Sequence, residues 1–107
     1  MNELIITTAN EIYGKKIMEV LGVVKGNTVR ARNIGRDIGA GFKNLVGGEI
    51  KTYTEMISDA REEAHNRMIN QAVKIGADAV IGVRFTTSMV TQGAAEMLAY
   101  GTAVKIK

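Results

Sequence analysis

Glu62 and His65 stand three residues apart in the run EEAHNRM. On a helix that spacing brings a carboxylate and an imidazole to one face. The pair is half of a carboxylate-bridged two-metal arrangement, whose other half has to come from other helices. Soft and borderline heavy metals prefer thiolate, thioether and imidazole ligands, and this chain has no cysteine and one histidine. Its six methionines supply thioethers, but Met56 and Met68 fall on an apolar helical stripe and are expected in the core. His65 is therefore expected to be a surface or interface histidine near Arg61 and Glu62. The missing cysteines also remove disulfides, thiolate zinc sites, cysteine nucleophiles and redox pairs. Ser58 and Ser88 lack a nucleophile context, and a single histidine on a helix does not build a triad. No enzymatic activity is expected.

A second stretch that could do chemistry is GRDIGAGFKNLVGGE, Gly35 to Glu49, with five glycines in fifteen residues. A phosphate-cradling loop of the Walker A type needs Gly, four residues, then Gly-Lys-Ser/Thr. The one Gly-Lys, Gly14-Lys15, has Ala9 at the first glycine position and Lys16 where the hydroxyl belongs. The dinucleotide pattern fails too, because Gly39 and Gly41 are followed by Asn44 where a third glycine is required. Ile34, Ile38, Phe42 and Leu45 or Val46 instead recur at helical spacing, and Asn33 can cap the start. Glycine inside a helix costs roughly 0.5–1 kcal/mol against alanine. That cost is offset where another backbone approaches closely. The stretch thus reads as a short, thin helix pressed on a neighbouring subunit through Gly35, Gly39, Gly41 and Phe42, with Gly47-Gly48 as the swivel that follows.

The elements that position these residues follow from periodicity. Leu4 to Thr7 is a short β-branched strand. Lys16 to Val24 and Thr28 to Arg32 read as two arms of a hairpin, with Gly26-Asn27 as a two-residue loop. From Lys51 to Ile75, the residues Tyr53, Met56, Ile57, Ala60, Ala64, Met68, Ala72 and Ile75 form one apolar stripe at three- and four-residue intervals. Acids crowd the first half of this segment and Arg67 and Lys74 the second, as the helix dipole favours. Glu63 and Arg67 are spaced as an i,i+4 pair, and Gly76 is the natural cap. Such a helix is roughly 37 Å long. DAVIGVRF, Asp78 to Phe85, is apolar with little alternation, as a strand covered on both faces would be. It continues through Met89 and turns near Gly93-Ala94. Glu96 to Ile106 returns as the last strand, with Leu98, Tyr100, Thr102, Val104 and Ile106 on one face. The expected fold is α+β: a small antiparallel sheet of four or five strands, the long helix on one face, and the short glycine-rich helix beside it.

Composition agrees with one domain over residues 1–107, since 46% apolar residues in 107 supply one core and not two. No apolar run approaches the roughly 20 residues of a membrane span, and MNELIITTAN is too short for a signal peptide. A cytoplasmic protein that avoids membranes is expected. The net charge is +3, with Lys15, Lys16, Lys25, Arg30, Arg32, Arg36 and Lys43 concentrated early. No aromatic residue is interleaved with that run as a base-stacking platform requires, so a nucleic-acid partner is not expected.

TTANEIYGKKIMEVLGVVKGNTV, NIGRDIGAGFKNLVGGEIKTYTEMISDAREEAHNRM, GADAVIGVRF and GTAVKI together resemble the YbjQ-like family of "putative heavy-metal-binding" proteins. The resemblance spans Thr7 to Ile106. It implies a small α+β subunit that assembles into a ring-like homo-oligomer, a pentamer, with no established enzymatic activity. It also directs attention to carboxylates at family-like positions, Asp37, Glu49 and Glu55, as candidate ligands for a divalent metal ion, ahead of His65. Five symmetry-related copies of one acid would make a site that a single subunit does not contain. The competing expectations are that Asp37 pairs with an arginine, and that Glu49 and Glu55 serve the start of the long helix. The alternative function is a small-molecule binding or scaffold module with ligand clefts between subunits.

Overall fold

The computed structural model describes residues 3–31, 48–91 and 94–107, with side chains described over 3–29, 54–89 and 94–107. In chain order the elements are β1 (Ile5–Ile6), β2 (Ile17–Ala31), α1 (Gly48–Lys74), β3 (Ala79–Thr91) and β4 (Ala94–Ile106). The four strands form one sheet in the order β1-β3-β4-β2. Helix α1 packs on one face, mainly over β2 and β4. The α+β architecture thus stands, while the expectation of a purely antiparallel sheet is corrected. β1 runs parallel to β3, with Ile5 beside Ala79 and Ile6 beside Val80, whereas β2 and β3 are both antiparallel to β4.

The expected hairpin at Gly26-Asn27 does not form. β2 runs without a turn through Lys25, Gly26 and Asn27, paired with Tyr100, Ala99 and Leu98 of β4. The reason lies above the strand. A β-carbon on Gly26 would collide with the carbonyl oxygen of Ala64 and the amide nitrogen of Met68, and would lie 2.6 Å from the β-carbon of Arg67. Gly26 serves close approach of a helix to a strand, the other physical use of a glycine inside a strand.

The core lies between α1 and the sheet. Ala60, Ala64, Met68 and Ala72 line one side of the helix and are buried against Val24, Val80, Val83, Met97, Ala99 and Ala103. Among the described residues, Met68 is the largest side chain withdrawn wholly from solvent. Small residues at Ala64, Gly26 and Ala99 let the layers approach, and Met68 fills the gap that remains. The stripe from Ala60 to Ala72 is as the periodicity predicts. Ile75 departs from it and is 46% exposed, because the helix has ended. Gly76, at φ +79°, donates to the Val73 carbonyl (3.0 Å), and Ala77 donates to the Ala72 carbonyl (3.0 Å). Those two bonds are the Schellman closure that a left-handed glycine permits. Tyr53 belongs to α1, but its side chain lies outside the described ones.

α1 already includes Gly48, so that residue is helical where a swivel was expected. The expected glycine-rich helix, residues 33–46, lies outside the described residues. On β4 the side chains turned to the helix are Met97, Ala99 and Ala103, while Leu98, Tyr100 and Thr102 share the opposite face. No helix among the described residues is long and apolar enough to cross a membrane.

Candidate functional site

His65 follows the buried Ala64 on α1 and so sits at the flank of the core stripe. It is half-buried. The fold brings it an aromatic partner: its ring lies 5.9 Å from that of Phe85 on β3, tilted by 36°. Glu62, one helical turn before it, is exposed. Neither the second Glu-x-x-His half nor any other group of three or more His, Cys, Asp or Glu capable of holding a metal occurs among the described residues. Of the carboxylates, Glu55 is exposed near the start of α1 and forms no hydrogen bond or ion pair among the described residues. Glu49 occupies the first turn of α1, its side chain outside the described ones. Asp37, Gly35, Gly39, Gly41 and Phe42 lie outside the described residues altogether. The donor types at hand are carboxylates, which suit hard divalent ions better than soft ones.

The opposite flank of α1 carries a polar row. Glu63, Arg67 and Gln71, four residues apart, descend beside β2 and meet Thr28, Asn27 and Lys25 in turn. The Thr28 hydroxyl donates to Glu63 Oε1 (3.2 Å). Arg67 donates to the Asn27 carbonyl (2.6 Å) and pairs with Glu63 Oε2 (2.8 Å). The Lys25 amide donates to Gln71 Oε1 (2.7 Å). β2 is an edge strand, and the backbone groups of Lys25 and Asn27 that point away from β4 are the ones these side chains take up. Periodicity exposes the Glu63–Arg67 pair. The strand it reaches is invisible in the sequence alone, where Gly26-Asn27 reads as a turn.

The sheet face turned away from α1 holds a juxtaposition that sequence reasoning missed. The registers Lys25↔Tyr100 and Arg84↔Tyr100 set a tyrosine between two cations in one cross-strand row. The Arg84 guanidinium is held at the β1 side, donating to the carbonyls of Thr8 (3.0 Å) and Val83 (2.9 Å). Around this row the face is apolar and open: Val20 is 63% exposed, Val23 72% and Val29 54%. Asn27 and Glu96, hydrogen-bonded at 3.2 Å, are the polar pair among them. An exposed apolar patch rimmed by polar groups is the mark of a contact surface.

The chain is 62% identical over 105 residues to a UPF0145 protein of Archaeoglobus fulgidus, covering 98% of this chain and 97% of that one. It is likewise 62% identical over 104 residues to a UPF0145 protein of Thermosipho africanus, covering 97% and 96%. A solved structure from Pediococcus pentosaceus, of unknown function and assigned to the DUF74 family, has the same fold. Its TM-score is 0.62 at 20% identity, over 97% of this chain and 98% of that one. A family model described as "Putative heavy-metal-binding" matches residues 4–107. Matched from Leu4 onward and so close to relatives of the same length, the chain belongs to the YbjQ family.

Proposed function

We propose that this chain is a non-catalytic cytoplasmic subunit of a closed homo-oligomer, five copies by the family resemblance, and that it binds divalent cations through carboxylates gathered from several copies. The observation that carries the reading is the open face of the sheet. Val20, Val23 and Val29 all stand more than half exposed on one strand, and burying one such side chain stabilises by roughly 1.5–3 kcal/mol. A neighbouring copy provides that burial. The metal half of the reading follows from the family description together with the donor types. With one histidine and no cysteine, a cation site needs acids, and a symmetry axis brings several copies of one acid together. Glu55 is exposed and available for it. Asp37 and Glu49 are the other candidates, with His65 behind them.

Two measurements test this. Light scattering is expected to give a mass several times 11.5 kDa, and a stable monomer at micromolar concentration would sink the assembly. Calorimetry with Zn²⁺, Cu²⁺ and Ni²⁺ is expected to show weak binding that Asp37→Asn or Glu55→Gln reduces. Submicromolar binding lost in His65→Ala would overturn the carboxylate assignment. An organic molecule retained in native mass spectra, with no metal bound, would mark a small-molecule module with clefts between subunits.

A further inference from the structure

We infer that the outer edge of β3 from Phe85 to Thr91 is a docking strand for the β2 edge of a second copy of this chain. The inference rests on the homo-oligomeric reading above and adds which strands meet. β1 pairs only with Ala79 and Val80. Just beyond it, Gly82 donates to the Ala9 carbonyl (2.8 Å) and Val83 to that of Thr7 (3.0 Å). Past Val83, no backbone group among the described residues bonds the outer edge of β3. That length, unpaired among the described residues, continues as TTSMVT, six residues with no charge, proline or glycine. It thus lacks the usual devices that keep an edge from pairing, namely charges, prolines and short length. Phe85 and Met89 are 43% and 70% exposed along it.

The complementary edge is on the same molecule. α1 takes up the outward backbone groups of β2 at Lys25 and Asn27. Val29, next in the same orientation, makes no outward backbone bond to another described backbone group, and its side chain is 54% exposed. Val29 pairs with Glu96, and Glu96 with Ser88, so these two edges flank one end of the sheet on opposite sides of β4. A β2–β3 contact between copies satisfies both edges in every copy. A β3–β3 contact would leave β2 bare. Two different edges make a head-to-tail contact, the kind that closes a ring.

Opposed residues of paired strands share a face, which makes the inference testable in detail. Val29, Glu96 and Ser88 lie in one cross-strand row, as do Asn27, Leu98 and Thr86. All of these face away from α1. Val29 of one copy must therefore meet Ser88 or Thr86 of the next, not Thr87. The chain has no cysteine, so disulfide trapping is free of background. The double variants Val29→Cys/Ser88→Cys and Val29→Cys/Thr86→Cys are prepared with Val29→Cys/Thr87→Cys and each single variant. Each is oxidised, run on a non-reducing gel, and checked for native fold by circular dichroism and for mass by light scattering. At least one of the first two is expected to give a reducible ladder of covalent multimers, with the Thr87 pair and the singles unlinked. Three results would overturn the inference. An oligomer that neither pair traps leaves the assembly standing on other surfaces. Dimers from Ser88→Cys alone mean a β3–β3 contact. A monomer by light scattering removes the homo-oligomeric reading as well.

Discussion

Gly26 on β2 lies directly against the backbone of α1 at Met68, so near that a β-carbon on the glycine would collide with the Met68 amide nitrogen. Helix and strand here are spaced by the absence of one methyl group. Gly26→Ala is expected to cost about 3 kcal/mol or more, since a packed backbone cannot yield as a side-chain end can. Gly14→Ala is the contrast. Nothing lies within 4 Å of its β-carbon, but the backbone is left-handed at φ +78°, so the cost is about 1–2 kcal/mol of strain. Urea denaturation of the two variants should separate them in that order.

Met68→Ala opens a cavity at the centre of the same contact. With Met68 at 0% exposure, the expected loss is about 2–5 kcal/mol, read from the same unfolding curves. A loss under about 1 kcal/mol would mean that the layers collapse onto the gap.

The polar row beside β2 predicts a salt signature. Arg67→Ala removes a pair with Glu63, in which the two side chains are 52% and 35% exposed, and a bond to the neutral Asn27 carbonyl. Exposed pairs are worth at most about 1 kcal/mol and are screened by salt. The carbonyl bond is screened far less. The destabilisation by Arg67→Ala should therefore shrink in high salt without vanishing, whereas that of Gln71→Ala, about 0.5–1.5 kcal/mol, should not change. Denaturation at low and high ionic strength checks both.

Gly39→Leu tests the glycine-rich stretch. If its glycines admit a neighbouring subunit, leucine there weakens assembly while leaving helix content unchanged or raised, because leucine is the better helix former. Light scattering and circular dichroism on the same sample distinguish the two effects. An intact oligomer would refute the contact.

The sequence made α1 legible because a stripe of period 3.6 over many turns has no other reading, and Ala60, Ala64, Met68 and Ala72 are buried as that stripe requires. The cap at Gly76 was legible for a local reason, its positive φ. Gly26-Asn27 misled because the same dipeptide serves a tight turn and a strand under a helix, and only the tertiary approach of Ala64 and Met68 distinguishes them. The parallel placement of β1 was hidden as well, since two isoleucines carry no signal of direction. His65 stands out by type and spacing and Glu55 through the family resemblance, but the ring opposite His65 comes from Phe85, twenty residues away, which no local pattern connects. Lys25, Tyr100 and Arg84 converge only through strand order.

That strand order also governs how the chain reaches its fold. Ile17 pairs with Ile106 and Ala31 with Ala94, so every rung of the longest ladder joins the early part of the chain to its last element. Loop closure between such distant partners is entropically costly and comes before any contact repays it. β2 must wait for β4, and in the interval the element available to shield it is α1, which already reaches its edge through Gln71 and Arg67. Folding should accordingly be slow for a domain of this size. Variants that loosen the helix–strand clamp should populate a collapsed species with β2 uncovered before β4 arrives, visible in stopped-flow refolding as a burst of dye binding that the wild type lacks.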